Sequence, residues 1–212
     1  RIINFFLNKE VDIIIIACNS ASSVALKELQ ADVPIIGTIN PSVQQVVKNF
    51  NGQSIGVIGT DTTINSQAYN KAFKNYNDYH IYSVSCPLFV PIVEEGWENT
   101  DIAHQIAVKY LSNFSTIKLD TVILACTHYP MLINTLKSVF NKLGHKNLNF
   151  IDSGDAIANH LSTQLSLTVD NEPSDILNLN DEFYVTDTSY QFNELANRFL
   201  GANIPNIQLI SL

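Results

Sequence analysis

One pattern restricts this chain more than any other. Short runs of β-branched apolar residues, hydrophobic on both faces, alternate with longer stretches of helical period. The runs fall at 11–17, 33–38, 54–60, 80–85, 121–125, 149–152, 183–186 and 206–210. Helical patterns lie between them near 21–31, 41–49, 65–75, 101–114, 131–143, 155–165 and 190–200, and residues 1–7 look like an amphipathic helix already under way. In 101–114 the apolar residues Ile102, Ile106, Tyr110 and Phe114 recur every four positions, with Thr100 available as N-cap. A strand that is apolar on both faces has to be covered on both sides, and intervening helices supply the crossovers that parallel pairing requires. The expectation is an α/β protein with mostly parallel sheets flanked by helices.

Composition narrows the function. Hydrophobic residues make up 46% of the 212, enough for a substantial core, while charged residues are only 15% against roughly 25% in an average soluble protein. Twelve basic residues against twenty acidic ones give a net charge of −8, which argues against nucleic acid or an anionic membrane as partner. The longest apolar run, 11–18, is interrupted by Asp12 and falls far short of the ~20 residues that span a bilayer. Only Arg1 and Arg198 are arginines, so an anionic ligand held mid-chain is held without a guanidinium. Cys18, Cys86 and Cys126 are odd in number, widely spaced and outside any CxxC, which reads as reduced thiols in a cytoplasm.

An internal echo adds the chemistry. Residues 11–19 and 119–127 align without gaps, and Asp, Ile, Ala and Cys are identical at four of the nine positions. The expectation is a duplicated βα unit, hence two similar domains. Each copy ends in a cysteine just past a buried strand, on the side where open parallel sheets bind ligands. Cys18 is followed by a run of capping residues, Asn19, Ser20, Ser22 and Ser23; Cys126 is followed by Thr127, His128, Tyr129 and Pro130, with proline suited to a first helical turn. A thiol at a helix start is expected to have its pKa lowered toward neutrality. Two facing thiols suit proton transfer at a carbon centre, one removing a proton and the other returning one to the opposite face, with no cofactor and no metal. A redox pair is the weaker alternative because neither cysteine lies in CxxC. Hydrolysis by Cys126 with His128 as partner is another. The hydroxyl-rich loops 19–23, 60–63 and 127–128 are candidate cradles for carboxylates, although for Ser23 and Thr62 ordinary capping and turn chemistry is the better reading. Glu94, before Glu95 and Gly96 near a helix end, reads as solvated by sequence alone, and Cys86 before Pro87 reads as structural. His80, His104, His145 and His160 have no metal-ligand spacing.

The stretches Ala17-Cys-Asn-Ser-Ala-Ser22 and Ala125-Cys-Thr-His-Tyr-Pro-Met-Leu132 make the chain resemble the glutamate racemases of bacterial cell-wall synthesis. The resemblance extends through 33–37, 56–60, Ser66-Gln-Ala-Tyr69, 86–91, Ile151-Asp-Ser-Gly154 and 198–201. It implies a cofactor-independent two-base racemase, with Cys18 serving D-glutamate and Cys126 L-glutamate. It further implies that Asn19, Ser20, Thr60, Thr63, Thr127 and His128 line the substrate site and that Glu94 assists the second thiol. The implied organisation is a discontinuous first domain, 1–40 plus 152–212, a second domain of 41–151, and an active site where they meet; a homodimer is compatible with it. Ser20 stands where the family usually has threonine. The family's opening strand with an Asp-Ser-Gly loop, and a Pro-Tyr-Gly loop, have no counterpart before the helix at Arg1, so these 212 residues alone are expected to be nearly inactive. The alternatives are an amino-acid-binding relative without turnover and a racemase of another acidic amino acid.

Overall fold

The computed structural model describes residues 1–50, 52–76, 78–166, 181–187, 190–202, 204 and 207–212. In chain order the elements are α1 (Ile2–Asn8), β1 (Ile14–Ile16), α2 (Asn19–Val24), β2 (Ile35–Gly37), α3 (Ile39–Asn49), β3 (Ser54–Gly59), α4 (Asp61–Asn65), α5 (Ala68–Phe73) and β4 (His80–Ser85). They continue as α6 (Phe89–Glu94), α7 (Asp101–Leu111), β5 (Thr121–Ala125), α8 (Ile133–Lys142), β6 (Asn149–Asp152), α9 (Ser153–Gln164), β7 (Phe183–Val185), α10 (Tyr190–Leu200) and β8 (Ile207–Leu209). Every strand pairing among the described residues is parallel, as the two-faced apolar runs required. All eight expected runs contain a strand; the expected start of the last one, Asn206, lies outside the described residues.

The chain groups into two units, Asp12–Leu167 and Arg1–Val11 with Thr168–Leu212. In the larger unit β1 and β2 pair with each other, while β3 to β6 form a separate four-stranded sheet in the order β4-β3-β5-β6. Side chains of this sheet alternate between two cores. Ile58, Val122 and Leu124 pack under α6, α7 and α8 with Phe89, Leu111, Leu136 and Phe140. Ile55, Val57, Ile123 and Ala125 pack under α3, α5 and α9 with Val43, Val46, Tyr69, Phe73 and Ala156. That is the period-2 signature of a strand buried on both faces. Its consequence for function is the strand order. The chain runs from β3 to β4 on one side and returns as β5 on the other, so the order reverses between β3 and β5 and opens a crevice at their carboxyl ends.

Three local details differ from expectation or explain it. The fully buried stripe of α7 is Ala103, Ala107 and Leu111, one position along from Ile102, which is 50% exposed. Small side chains there let α7 approach its neighbours closely, while Ile106 and Tyr110 pack along the flank. The helix expected at 65–75 is α5, which starts only at Ala68 because Gln67 adopts a left-handed backbone (φ 55°) that separates it from α4. Asp120, shared by both halves of the echo, accepts hydrogen bonds from the N–H groups of Gln53 and Ser54, both at 3.0 Å, and so ties the start of β3 to β5. A Cβ at Gly52 would come within 2.2 Å of the Asp120 Cβ, which is why that position carries no side chain.

In the smaller unit β7 and β8 pair, and Lys9 from the end of α1 bonds Glu182 at 3.3 Å and the Tyr184 hydroxyl. Its ammonium lies 4.7 Å from the Tyr184 ring centroid, and Phe5 packs edge-on against the same ring. Among the described residues no helix is long and apolar enough to cross a membrane.

Candidate active site

Both echoed cysteines lie just beyond the carboxyl end of a strand. Cys18 follows β1, takes an extended backbone (φ −74°, ψ 120°) and caps α2, its Sγ accepting from the Ala21 N–H at 3.5 Å. It is exposed. Cys126 directly follows β5 and is buried beneath the 3-10 turn Tyr129–Leu132. Even-numbered β5 residues face the α6–α8 side, and Cys126 continues that row into the same core.

Burial pushes the Cys126 thiol up to about 11; the His128 N–H opposes this, negative charge on Cys18 adds to it, and the Thr127 hydroxyl and Tyr129 N–H oppose it. Two points follow. The lowering expected from a helix start does not occur at Cys126, because desolvation outweighs the N–H groups aimed at sulfur. In addition, Cys18 is among the groups whose charge acts on Cys126. Cys126 is therefore held as the thiol at neutral pH. Alkylation of Cys126 by iodoacetamide, followed by peptide mass, is expected to climb steeply between about pH 9 and 11. The folded state holds this proton longer than the unfolded chain does. Its contribution to stability is therefore complete below about pH 9 and is lost as pH rises toward 11.

The hydroxyl-rich loops assemble around the crevice between β3 and β5. Thr60, next after β3, caps α4 by accepting from the Thr63 N–H at 3.4 Å. The Thr60 and Thr63 hydroxyls lie 3.2 Å apart, and Ser20 Oγ joins them at 2.7 Å and 3.3 Å. Three hydroxyls from two separate stretches of chain thus form one triangle. Across the crevice, His128 Nε2 lies 3.1 Å from Glu94 Oε1, and the Thr127 hydroxyl lies 3.3 Å from His128 Nδ1. An ionised carboxylate only accepts, so Nε2 carries the proton toward Glu94, and in the neutral ring Nδ1 takes the Thr127 hydroxyl proton. Glu94, read as solvated from sequence, is brought to His128 because α6 ends there.

Asn19 sits apart from the hydroxyl triangle. It is 1% exposed, and its Nδ2 donates to the Tyr69 hydroxyl at 2.8 Å and to Ser153 Oγ at 3.0 Å. Residue reading assigned no role to Tyr69 or Ser153; the available signal was their place in the Ser66–Tyr69 and Ile151–Gly154 motifs. Tyr129 was likewise missed. Its hydroxyl donates to the Cys86 carbonyl at 2.8 Å, and its ring meets Phe89 edge-on at 5.3 Å, which fixes the Cys126 loop against α6.

The family model for Asp/Glu/hydantoin racemases matches residues 3–161. The chain belongs to the Asp/Glu/hydantoin racemase family. Among curated members it is 39% identical over 197 residues to the glutamate racemase of Sulfurihydrogenibium sp., covering 92% of this chain and 71% of that protein. Among solved racemases it superposes on the glutamate racemase of Francisella tularensis in complex with D-glutamate with a TM-score of 0.80 and 31% identity, over 98% of this chain and 76% of that one. A glutamate racemase isoform from Bacillus anthracis gives 0.83 and 31%, over 99% and 77%. The racemase fold of these relatives is the one described above, parallel sheets flanked by helices.

Proposed function

We propose that the chain interconverts L- and D-glutamate by two-base proton transfer between Cys18 and Cys126, without a cofactor, and so supplies D-glutamate for peptidoglycan precursors. The observation that carries this reading is that Ser20, two residues after Cys18, reaches Thr60 and Thr63 at the strand-order reversal where Cys126 follows β5. From D-glutamate, the Cys18 thiolate takes the Cα proton and the C–H electron pair stays on a planar carbanion. The Cys126 thiol delivers its proton to the opposite face and is left as thiolate. From L-glutamate the roles exchange. Solvent then resets the two sulfurs. A buried, protonated Cys126 suits the donor role, and an exposed Cys18 suits rapid exchange with water. The Ser20, Thr60, Thr63 and Thr127 hydroxyls and the loop of Asn19 take the substrate's polar groups; His128, held by Glu94, provides a proton-bearing group beside the second thiol. The pairing of β1 with β2 apart from β3 to β6 supports a boundary near residue 40, as in the division into 1–40 with 152–212 and 41–151. Three free cysteines favour a cytoplasmic location.

Incubating the full-length gene product in D₂O with either enantiomer is expected to replace the Cα proton by deuterium and to drive optical rotation to zero. Absence of exchange from both enantiomers would falsify the proposal.

A further inference from the structure

Tyr69 is 2% exposed and lies in the core beneath α3, where the ring alone would satisfy packing. Its hydroxyl does something else. It accepts from Asn19 Nδ2 at 2.8 Å, and the same amide donates to Ser153 Oγ at 3.0 Å, which in turn donates to the Leu124 carbonyl at 3.2 Å. Asn19 is the residue after Cys18, and Leu124 is two residues before Cys126. One buried amide thus joins the loop of the first thiol to the strand of the second, with Tyr69 and Ser153 as its two acceptors. Burial raises the pKa of the Tyr69 phenol, against contacts from Ser42, Ser153, Asn19 and Thr38, so it stays a neutral hydrogen-bonding group.

The backbone around Tyr69 is arranged to deliver that hydroxyl. Gln67 holds φ 55°, a region side-chain-bearing residues seldom occupy and that persists only when its surroundings enforce it. Ser66 supplies the enforcement. Its Oγ donates to the Thr63 carbonyl at 2.7 Å and accepts from the Ala68 N–H at 3.1 Å, and its carbonyl receives Lys71 Nζ at 2.7 Å. Thr63 is also a corner of the hydroxyl triangle that includes Ser20, so α5 and the Cys18 loop are pinned to each other twice.

We infer that Tyr69 is a positioning residue for racemisation: through Asn19, its hydroxyl holds Cys18 at its working separation from Cys126. The inference rests on the two-base reading above. In Tyr69→Phe the ring stays and one net hydrogen bond is lost. Iodoacetamide alkylation of Cys18, resolved by peptide mass, is expected to speed up roughly threefold to tenfold while the rate at Cys126 stays put. Racemisation kcat is expected to fall by a similar roughly threefold to tenfold factor with little change in the KM for glutamate. The isotope effect with α-deuterated D-glutamate, where Cys18 breaks the bond, should grow more than that with the L-enantiomer. Ser153→Ala removes the other acceptor and should move the Cys18 alkylation rate in the same direction; it serves alone should Tyr69→Phe not fold. An unchanged Cys18 rate, or isotope effects that shift equally for both enantiomers, overturns the inference. The alkylation readout needs no turnover, so an unsubstituted protein that does not racemise removes the proposed function while Cys18 reactivity still decides whether Tyr69 positions the thiol.

Discussion

Replacing either Cys18 or Cys126 by serine is expected to lower kcat for glutamate racemisation by roughly 10²–10⁴-fold, the weight of one positioned general base or acid. Serine keeps the size and one donor, but an alcohol ionises far less readily than a thiol, whose ordinary pKa is about 8.5. The KM for glutamate should change little, because the hydroxyls of Ser20, Thr60 and Thr63 remain in place. The two variants should also fail differently. With Cys126→Ser, Cys18 still removes the proton of D-glutamate and can return a solvent-derived one to the same face, so deuterium washes in without inversion. With Cys18→Ser the same one-sided exchange should appear from L-glutamate. Proton NMR in D₂O with chiral separation reads both. A serine variant that racemises at the parental rate removes its sulfur from the mechanism.

Tyr129→Ala is expected to cost about 3–5 kcal/mol of stability, the usual range for truncating a large buried aromatic side chain. Tyr129 is fully buried, meets Phe89 edge-on at 5.3 Å, and donates to the Cys86 carbonyl at 2.8 Å. Tyr129→Phe separates the two contributions. It keeps the ring and loses one buried hydrogen bond, for about 1 kcal/mol. Both shifts are measured as chemical-denaturation midpoints at constant slope. The alanine change should also slow turnover at temperatures where the protein stays folded, because Phe89 opens α6 and α6 ends at Glu94, the partner of His128. Equal stability of Tyr129→Ala and the parent would show that the Cys126 loop is held by its backbone alone.

Strand β4 and strand β5 were legible to the residue, since His80–Ser85 and Thr121–Ala125 are bounded by polar or turn-forming neighbours. Helix α6 was not. Pro87 stands just before it and Pro91 within its first turn, so a strong breaker signal masks a helix in which proline sits where no intrahelical N–H is needed. The split at Gln67 was invisible for a different reason: glutamine carries no preference for a left-handed backbone, and the contacts of Ser66 that impose it are tertiary. Glu94 looked solvated because its partner His128 lies 34 residues away.

By itself the sequence determined the class of fold, the two echoed thiols and the hydroxyl loops beside them, because hydrophobic period, caps and strand ends are encoded within about ten residues of one another. Tertiary structure alone decided the rest. The reversal of strand order between β3 and β5, the desolvation that keeps Cys126 protonated, and the Asn19 amide shared by Tyr69, 50 residues away, and Ser153, 134 residues away, all depend on groups that meet only when the chain has folded. Short-range periodicity carries no record of which distant side chain will take water's place around a thiol or an amide, and in this protein that replacement sets the chemistry.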